Sequence, residues 1–429
     1  MKKVLVGFST AVIVIFLLSV YGWAVKHITI GDKEMGFVSE PIKALINFPD
    51  LFEESVEEVK TITIPKTFVK TPENFQPTNK LTKEVRALTT YTNENNNRTI
   101  DLVNLATGES LYKWEVKNPF ADHARLMNPI MLANKSIVYA FSDMDGLVCI
   151  DSLGNKIWEQ KTIAAHHGMN LDKDGNLWTC SYDRQPPNGF ILYKAYYKLD
   201  GRRFNFVENT ISLINPQTGE ILYHKSLSEI LKENDLGYLL IHSGDTNDPM
   251  HLNDVQPALK TTEFYNEGDV FLSLRNLSCI LHFRPTTGKV LRVIRGPFFT
   301  QHDVDFYDDN TLVFFNNNSH ALWQNPPAQW PLASETFEVG DYHSGITFYD
   351  LSTGEFSNPY DSIFSANQIF SHTEGLIEFL PDGSVFIEEQ NHSYIWIIKD
   401  GEVLYHNVQP SHIEGYHHLT NWIRIIENK

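Results

Sequence analysis

Gln217-Thr218-Gly219-Glu220 runs directly into Ile221-Leu222-Tyr223-His224. A Thr-Gly pair between polar residues reads as a tight turn, because glycine accepts the backbone angles such turns require, and the aliphatic and aromatic run after it reads as a strand. The same signal recurs at Ala106-Thr107-Gly108-Glu109, Leu153-Gly154-Asn155-Lys156, Thr286-Thr287-Gly288-Lys289, Ser352-Thr353-Gly354-Glu355 and Lys399-Asp400-Gly401-Glu402. The glycines are 46, 65, 69, 66 and 47 residues apart. Between them lies a second recurring unit, a polar turn entering a strand: Asp174-Gly175-Asn176, Glu267-Gly268-Asp269, Asp309-Asn310 and Asp382-Gly383-Ser384, with Leu132–Phe141 a looser copy. Two hairpin signals per repeat, at a period near 40–50 residues with insertions, predict four-stranded blades. Six copies predict an all-β, six-bladed β-propeller over residues 85–429. A pair of β-sandwiches is the competing architecture. Helical sequence is scarce, Ser228–Asn234 being one candidate.

The chain of 429 residues is long enough to bury such a core. Its net charge of −18 excludes nucleic acid as a partner, since phosphates call for a basic face. Cys149, Cys180 and Cys279 are widely spaced, so neither a disulfide framework nor a CxxC metal site is indicated; a single disulfide is compatible with export. Val4–Val25 is an uncharged run behind Lys2 and Lys3. As a helix rising about 1.5 Å per residue it spans a hydrocarbon core of about 30 Å. Residues 1–25 are therefore read as a transmembrane signal anchor at the inner membrane, its basic end cytoplasmic and its body facing the periplasm or cell exterior. A cleaved leader ending at Gly22-Trp23-Ala24 is the alternative. Residues 26–84, punctuated by prolines, read as a spacer with one short helix at Asp50–Lys60. Association with a second copy of the chain is left open.

Four places carry side chains suited to chemistry. In Gln301-His302-Asp303-Val304-Asp305-Phe306 the alternation reads as a strand, which sets His302 at its start near a sheet rim. His167 in Ala165-His166-His167-Gly168 precedes its turn by the same eight positions. Adjacent strand residues point to opposite faces, so only one of His166 and His167 faces the channel, and the register match favours His167. In Met250-His251-Leu252-Asn253 alternation puts His251 and Asn253 on one face. Arg275 lies in what reads as an apolar strand, Leu272–Ile280, where a guanidinium requires an acid or an anion. A histidine can act as general base or as nucleophile. No HExxH, GxSxG or Gly-rich phosphate loop offers competing chemistry, so neither a metal nor a cofactor is expected.

With His167, His251-Leu252-Asn253, Ser273-Leu274-Arg275 through Ile280, and Gln301-His302 in this order, the chain resembles the bacterial arylsulfate sulfotransferases, from about residue 90 to the C-terminus. The resemblance implies a propeller with its site in the central channel. It implies that His302 takes a sulfuryl group from an aryl sulfate donor and passes it from a sulfohistidine to a phenolic acceptor. His167, His251 and Arg275 would hold the sulfuryl oxygens, with His166, Asn253 and Gln301 as further substrate contacts, and no adenylated sulfate cofactor is used. The chain departs from the family in its short spacer and in Gly168, where an acidic residue often follows the histidine. A non-catalytic, membrane-anchored propeller serving as scaffold or ligand-binding module is the alternative function. A quinone-dependent dehydrogenase ranks below both, because no calcium-binding carboxylate set or adjacent-cysteine pair accompanies Trp114, Trp158, Trp178 and Trp396.

Overall fold

The computed structural model describes residues 12–25, 64, 67–116, 125–141, 146–185, 190–191, 195–199, 201–319 and 343–426. The chain divides into two units, residues 1–65 and 66–429. In the first, residues 12–25 are helical, and among the described residues no helix is long and apolar enough to cross a membrane. The start of the proposed anchor and the proposed helix at Asp50–Lys60 lie outside the described residues.

In the second unit, the turn signals fall where an antiparallel propeller needs them. Gly108, Gly154, Gly219, Gly288, Gly354 and Gly401 all adopt positive φ, between 68° and 85°, and each joins the third strand of a sheet to its fourth. Gly175, Gly268 and Gly383 play the same part between first and second strands. Six four-stranded ladders result. Their innermost strands are β1 (Leu126–Met131), β2 (Ile163–Leu171), β3 (Leu252–Pro257), β4 (His302–Phe306), β5 (Leu376–Phe379) and β6 (Arg424–Ile426). The last of these completes the first blade, pairing Ile426 with Arg86 and Arg424 with Leu88 beside the strands Arg86–Thr92, Arg98–Asn104 and Glu109–Val116.

Hydrophobic layers hold neighbouring blades together, one at each junction. Leu88, Ile100 and Trp114 pack on Leu126, Ile137 and Tyr139. At the closure, Ala87, Leu105 and Ile423 pack on Leu376, Phe386 and Ile397. Burying one such aliphatic side chain contributes about 1.5–3 kcal/mol, so no single blade is stable without its neighbours. The candidate helix forms as α1 (Leu227–Glu233), where the Ser226 side chain accepts the Glu229 N–H and Leu227, Ile230 and Leu231 face the core.

The glycine at 219 has a second reason to be glycine. A Cβ there would lie 2.6 Å from the Trp158 ring of the preceding blade, whose indole N–H donates to Pro216 O at 3.0 Å. Gly219→Ala therefore combines left-handed backbone strain with overpacking, for an expected loss of about 2–4 kcal/mol in chemical denaturation. Gly175→Ala, whose Cβ meets nothing within 4 Å, isolates the strain alone and loses less.

Two expectations change. Part of the segment read as a spacer is knitted into the body, with Phe68–Lys70 pairing with Tyr416–His418 and Thr78–Asn79 with the outer strand of the last blade. All three cysteines are free and buried, so the disulfide compatible with export does not form.

Candidate active site

Each inner strand is interrupted within its length or closely preceded by a residue with left-handed backbone: Asn128 in β1, His167 in β2, His251 before β3, Asp303 in β4, Glu374 and Gly375 before β5, and Trp422 before β6. In β1 to β4 the interruption is a bulge, where the register slips between Met127 and Ile130, His166 and Met169, Leu252 and Asp254, and His302 and Val304. A bulge re-aims side chains and abolishes strict alternation. For a residue other than glycine this conformation costs about 1–3 kcal/mol, and it recurs in every blade.

This bending brings the predicted histidines together. The His167 ring lies 5.0 Å from that of His251 and 6.0 Å from that of His302, centroid to centroid. His166 does not point away, as strand alternation requires: its Nδ1 is 2.8 Å from Nδ1 of His167, and its ring stacks on Tyr182 at 3.9 Å. Alternation does not govern His251 and Asn253, since His251 precedes β3 and Asn253 is the bulged residue. Arg275 is not in a strand. It opens the short 3-10 turn Arg275–Leu277 after Val270–Leu274, is 6% exposed, and donates from Nη1 to Asn276 Oδ1 at 2.7 Å. Gly168 explains itself: a Cβ there would sit 2.3 Å from Asp254 Oδ1, so an acidic side chain has no room.

His302 is 1% exposed. Its Nδ1 faces two oxygens, Asn317 Oδ1 at 2.6 Å and Thr300 O at 3.2 Å. The Asn317 amide cannot be reversed, because its Nδ2 donates to Ser371 O at 2.8 Å and Glu374 O at 2.6 Å. Nδ1 of His302 therefore carries the proton, and Nε2 carries the lone pair. Burial, reinforced by the Arg275 charge, holds the imidazole pKa well below its usual value, so it is neutral at physiological pH. Burial and the neighbouring His251 do the same to His167. His166 is pushed to about 3 by burial.

The cluster is rich in unmet hydrogen-bonding capacity. His302 Nε2, His166 Nε2, Arg275 Nη2, Asn253 Oδ1 and Gln301 Oε1 are all buried and without a partner. Their other polar atoms are tied down: Asn253 Nδ2 donates to Gln301 O at 2.7 Å, and Gln301 Nε2 to Ser273 Oγ and Cys279 O at 3.0 Å each. Buried polar atoms are ordinarily satisfied, and a concentration of exceptions marks a place prepared for a ligand. The arrangement offers the Nε2 lone pair of neutral His302, a guanidinium N–H that suits a compact oxyanion, and two amide oxygens that can accept from a hydroxyl.

Three further contributors lie outside the predicted set. Trp422 reaches within 5.3 Å of the His167 ring and 6.5 Å of the His302 ring, its backbone N–H held by the buried Glu388 carboxylate at 3.2 Å. Asn317 orients His302, and Asp248 holds His251 Nδ1 at 2.7 Å. The turn cluster Gly244–Pro249 ahead of His251 is the only sequence signal that touches these three. Of the histidines after His302, His392 bonds Glu389 and His417 bonds Thr71, away from the cluster. A cavity of about 700 Å³ lies between the first and last blades, lined by Tyr91, Lys113, Gln409, His412 and His418 and by no member of the cluster.

A family model described as "Arylsulfotransferase (ASST)" matches residues 128–404, well over half of the chain. None of the curated proteins compared matches it. Among solved structures, a Bacteroides caccae protein of unknown function is 13% identical, with a TM-score of 0.50, over 81% of this chain and 100% of that one. Virginiamycin B lyase from Staphylococcus aureus is 11% identical, with a TM-score of 0.40, over 78% of this chain and 88% of that one. At such identities the first likeness speaks for the fold alone.

Proposed function

Because the chain belongs to the arylsulfotransferase family, we propose that it moves a sulfuryl group from a phenolic sulfate ester to a phenolic acceptor by a ping-pong route through His302. The observation that carries this reading is the neutral His302 imidazole with Nδ1–H fixed on Asn317 and a lone pair on the unpartnered Nε2. In the first half-reaction the Nε2 lone pair forms the N–S bond while the S–O bond to the aryl group breaks and its electron pair leaves with the phenol oxygen. In the second, a phenol oxygen attacks the same sulfur and the N–S pair returns to Nε2. Charge rests on the non-bridging sulfuryl oxygens throughout, so fixed donors stabilise the transition state without reorganising. Arg275, through its unpartnered Nη2, and His167 and His251 suit that role; His166 lies against His167, and the free oxygens of Asn253 and Gln301, which only accept, suit a phenol hydroxyl. No step calls for a metal or a cofactor. The uncharged run at residues 4–25 supports an anchor with the propeller outside the cytoplasm, where exogenous phenols and their sulfates are met.

Brief incubation with a chromogenic aryl sulfate, a rapid quench at neutral or alkaline pH and mass analysis test this. The expected result is a burst of phenol stoichiometric with enzyme and a sulfuryl adduct on the peptide containing His302. Phenol release without an adduct would leave a sulfotransferase or sulfatase with a different first step. Neither burst nor adduct across several donors would favour a binding module.

A further inference from the structure

Ping-pong transfer through a neutral imidazole leaves a proton to be placed: the departing phenol oxygen needs one and the entering phenol must lose one. We propose that Asp248 is a positioning residue for both half-reactions, holding His251 with Nδ1 outward and Nε2 toward the cluster as the proton carrier and, through Asn276, fixing Arg275. This rests on the reading of His302 as the sulfuryl acceptor. It starts from Asp248 as a hub of unusual density. Oδ2 accepts from His251 Nδ1 at 2.7 Å and from the Tyr182 hydroxyl at 3.4 Å. Oδ1 accepts from Asn209 Nδ2 at 2.8 Å and from the His251 backbone N–H at 3.2 Å. The Asp248 carbonyl accepts from Asn276 Nδ2 at 2.7 Å, which turns Asn276 Oδ1 toward Arg275 Nη1. The Arg275 N–H in turn donates to His251 O at 3.0 Å. Residue 248 thus reaches the proton carrier with its carboxylate and the sulfuryl-binding cation with its backbone carbonyl, through a single amide.

The choice of His251 among the cluster histidines follows from what faces each. His166, His167 and His302 are at most 9% exposed and have no carboxylate hydrogen bonded to the ring. The His251 side chain is 24% exposed and rests on a carboxylate, so it combines a charged partner with contact to solvent. The groups that face it are Asp248 from its own loop, His166 and His167 from β2, His302 from β4, and Arg275 from the turn; Asp248 is the sole anion among them. His251 and Asn209 keep the Asp248 carboxyl below its ordinary range, so it remains charged.

The steps balance. Protonated His251 gives its Nε2 proton to the departing phenol oxygen as the N–S bond forms on His302. Neutral His251 then takes the proton of the entering phenol as that oxygen attacks sulfur and the N–S bond breaks. The proton stays on the enzyme between the halves.

Nitrogen-resolved NMR of the full-length protein gives the first reading. The Nδ1–H form of neutral His251 is expected, and the opposite tautomer would overturn the assignment whether or not any variant folds. In Asp248→Asn, the phenol burst from phenyl sulfate, whose leaving group needs a proton, is expected to slow about 10²-fold. The burst from 4-nitrophenyl sulfate, whose leaving group does not, should change far less in rate, and Asp248→Glu should restore much of the difference. An equal loss for both donors would reduce Asp248 to a structural part, and no loss would remove it from the reaction. Absence of the His302 adduct in the unaltered enzyme would sink the parent reading instead, a separate and recognisable failure.

Discussion

His302→Asn is expected to abolish sulfuryl transfer, by about 10⁴-fold or more in kcat, while leaving the propeller folded. The two halves of that expectation have different origins. Asparagine places an amide N–H near the former Nδ1, so it can still donate to Asn317 Oδ1, and the buried acceptor is not orphaned. What disappears is the Nε2 lone pair that the Asn317 contact fixes and no protein group occupies. The phenol burst and the adduct should vanish together, and thermal unfolding should stay close to that of the parent. A variant that unfolds would show only that position 302 is structural. A folded variant that still turns over aryl sulfate would remove His302 as nucleophile, and His166, the other histidine with an unpartnered Nε2 in the cluster, would be next to test.

Asn317→Ala should damage both stability and rate. Asn317 is fully buried and bridges three groups, the His302 Nδ1–H and the carbonyls of Ser371 and Glu374. Truncation strands the Glu374 carbonyl, leaves Ser371 O only the 3.4 Å contact from Ser344 Oγ, and leaves the imidazole N–H only the longer contact to Thr300 O. Leaving buried polar groups unsatisfied costs about 1–3 kcal/mol each, so a loss of about 3 kcal/mol is expected in chemical denaturation. The rate should fall about 10²-fold beyond that, because the imidazole can then place its proton on Nε2 and withdraw the lone pair. Measuring kcat under conditions where the variant is fully folded separates the effects. A variant that is destabilised but transfers sulfuryl at the parental rate would show that Thr300 O alone suffices to set the tautomer.

The propeller is legible because each blade repeats the same local chemistry. Gly108 through Gly401 mark third-to-fourth strand turns that admit few other residues, and Gly175, Gly268 and Gly383 mark first-to-second strand turns. The site is legible only as a set of residues. Period-two reasoning separates His166 from His167, which the structure brings into contact, and it does not apply to His251 and Asn253, for one reason: the inner strands are bulged where the side chains matter. A bulge carries no composition signal when its left-handed residue is histidine or aspartate rather than glycine. Arg275 is misread as a strand residue because the apolar run Leu272–Ile280 hides a single turn ending at Ser278, itself left-handed. Asn317 and Asp248 escape because their roles depend on partners far along the chain, Ser371 and Glu374 for one and Asn209 and Asn276 for the other.

The pairing of β6 with Arg86–Thr92 also sets a timetable for the molecule. A chain emerging from the ribosome can form its middle blades as their hairpins appear, but the first blade lacks its innermost strand until residues 424–426 arrive. Trp422, which touches two of the cluster histidines, arrives with them. Every partial product therefore holds His167, His251 and His302 on blades whose ring is still open, and such long-range pairings form slowly. The buried histidines and the guanidinium beside them are thus brought into their final order only in a finished molecule, wherever in the cell that finishing takes place.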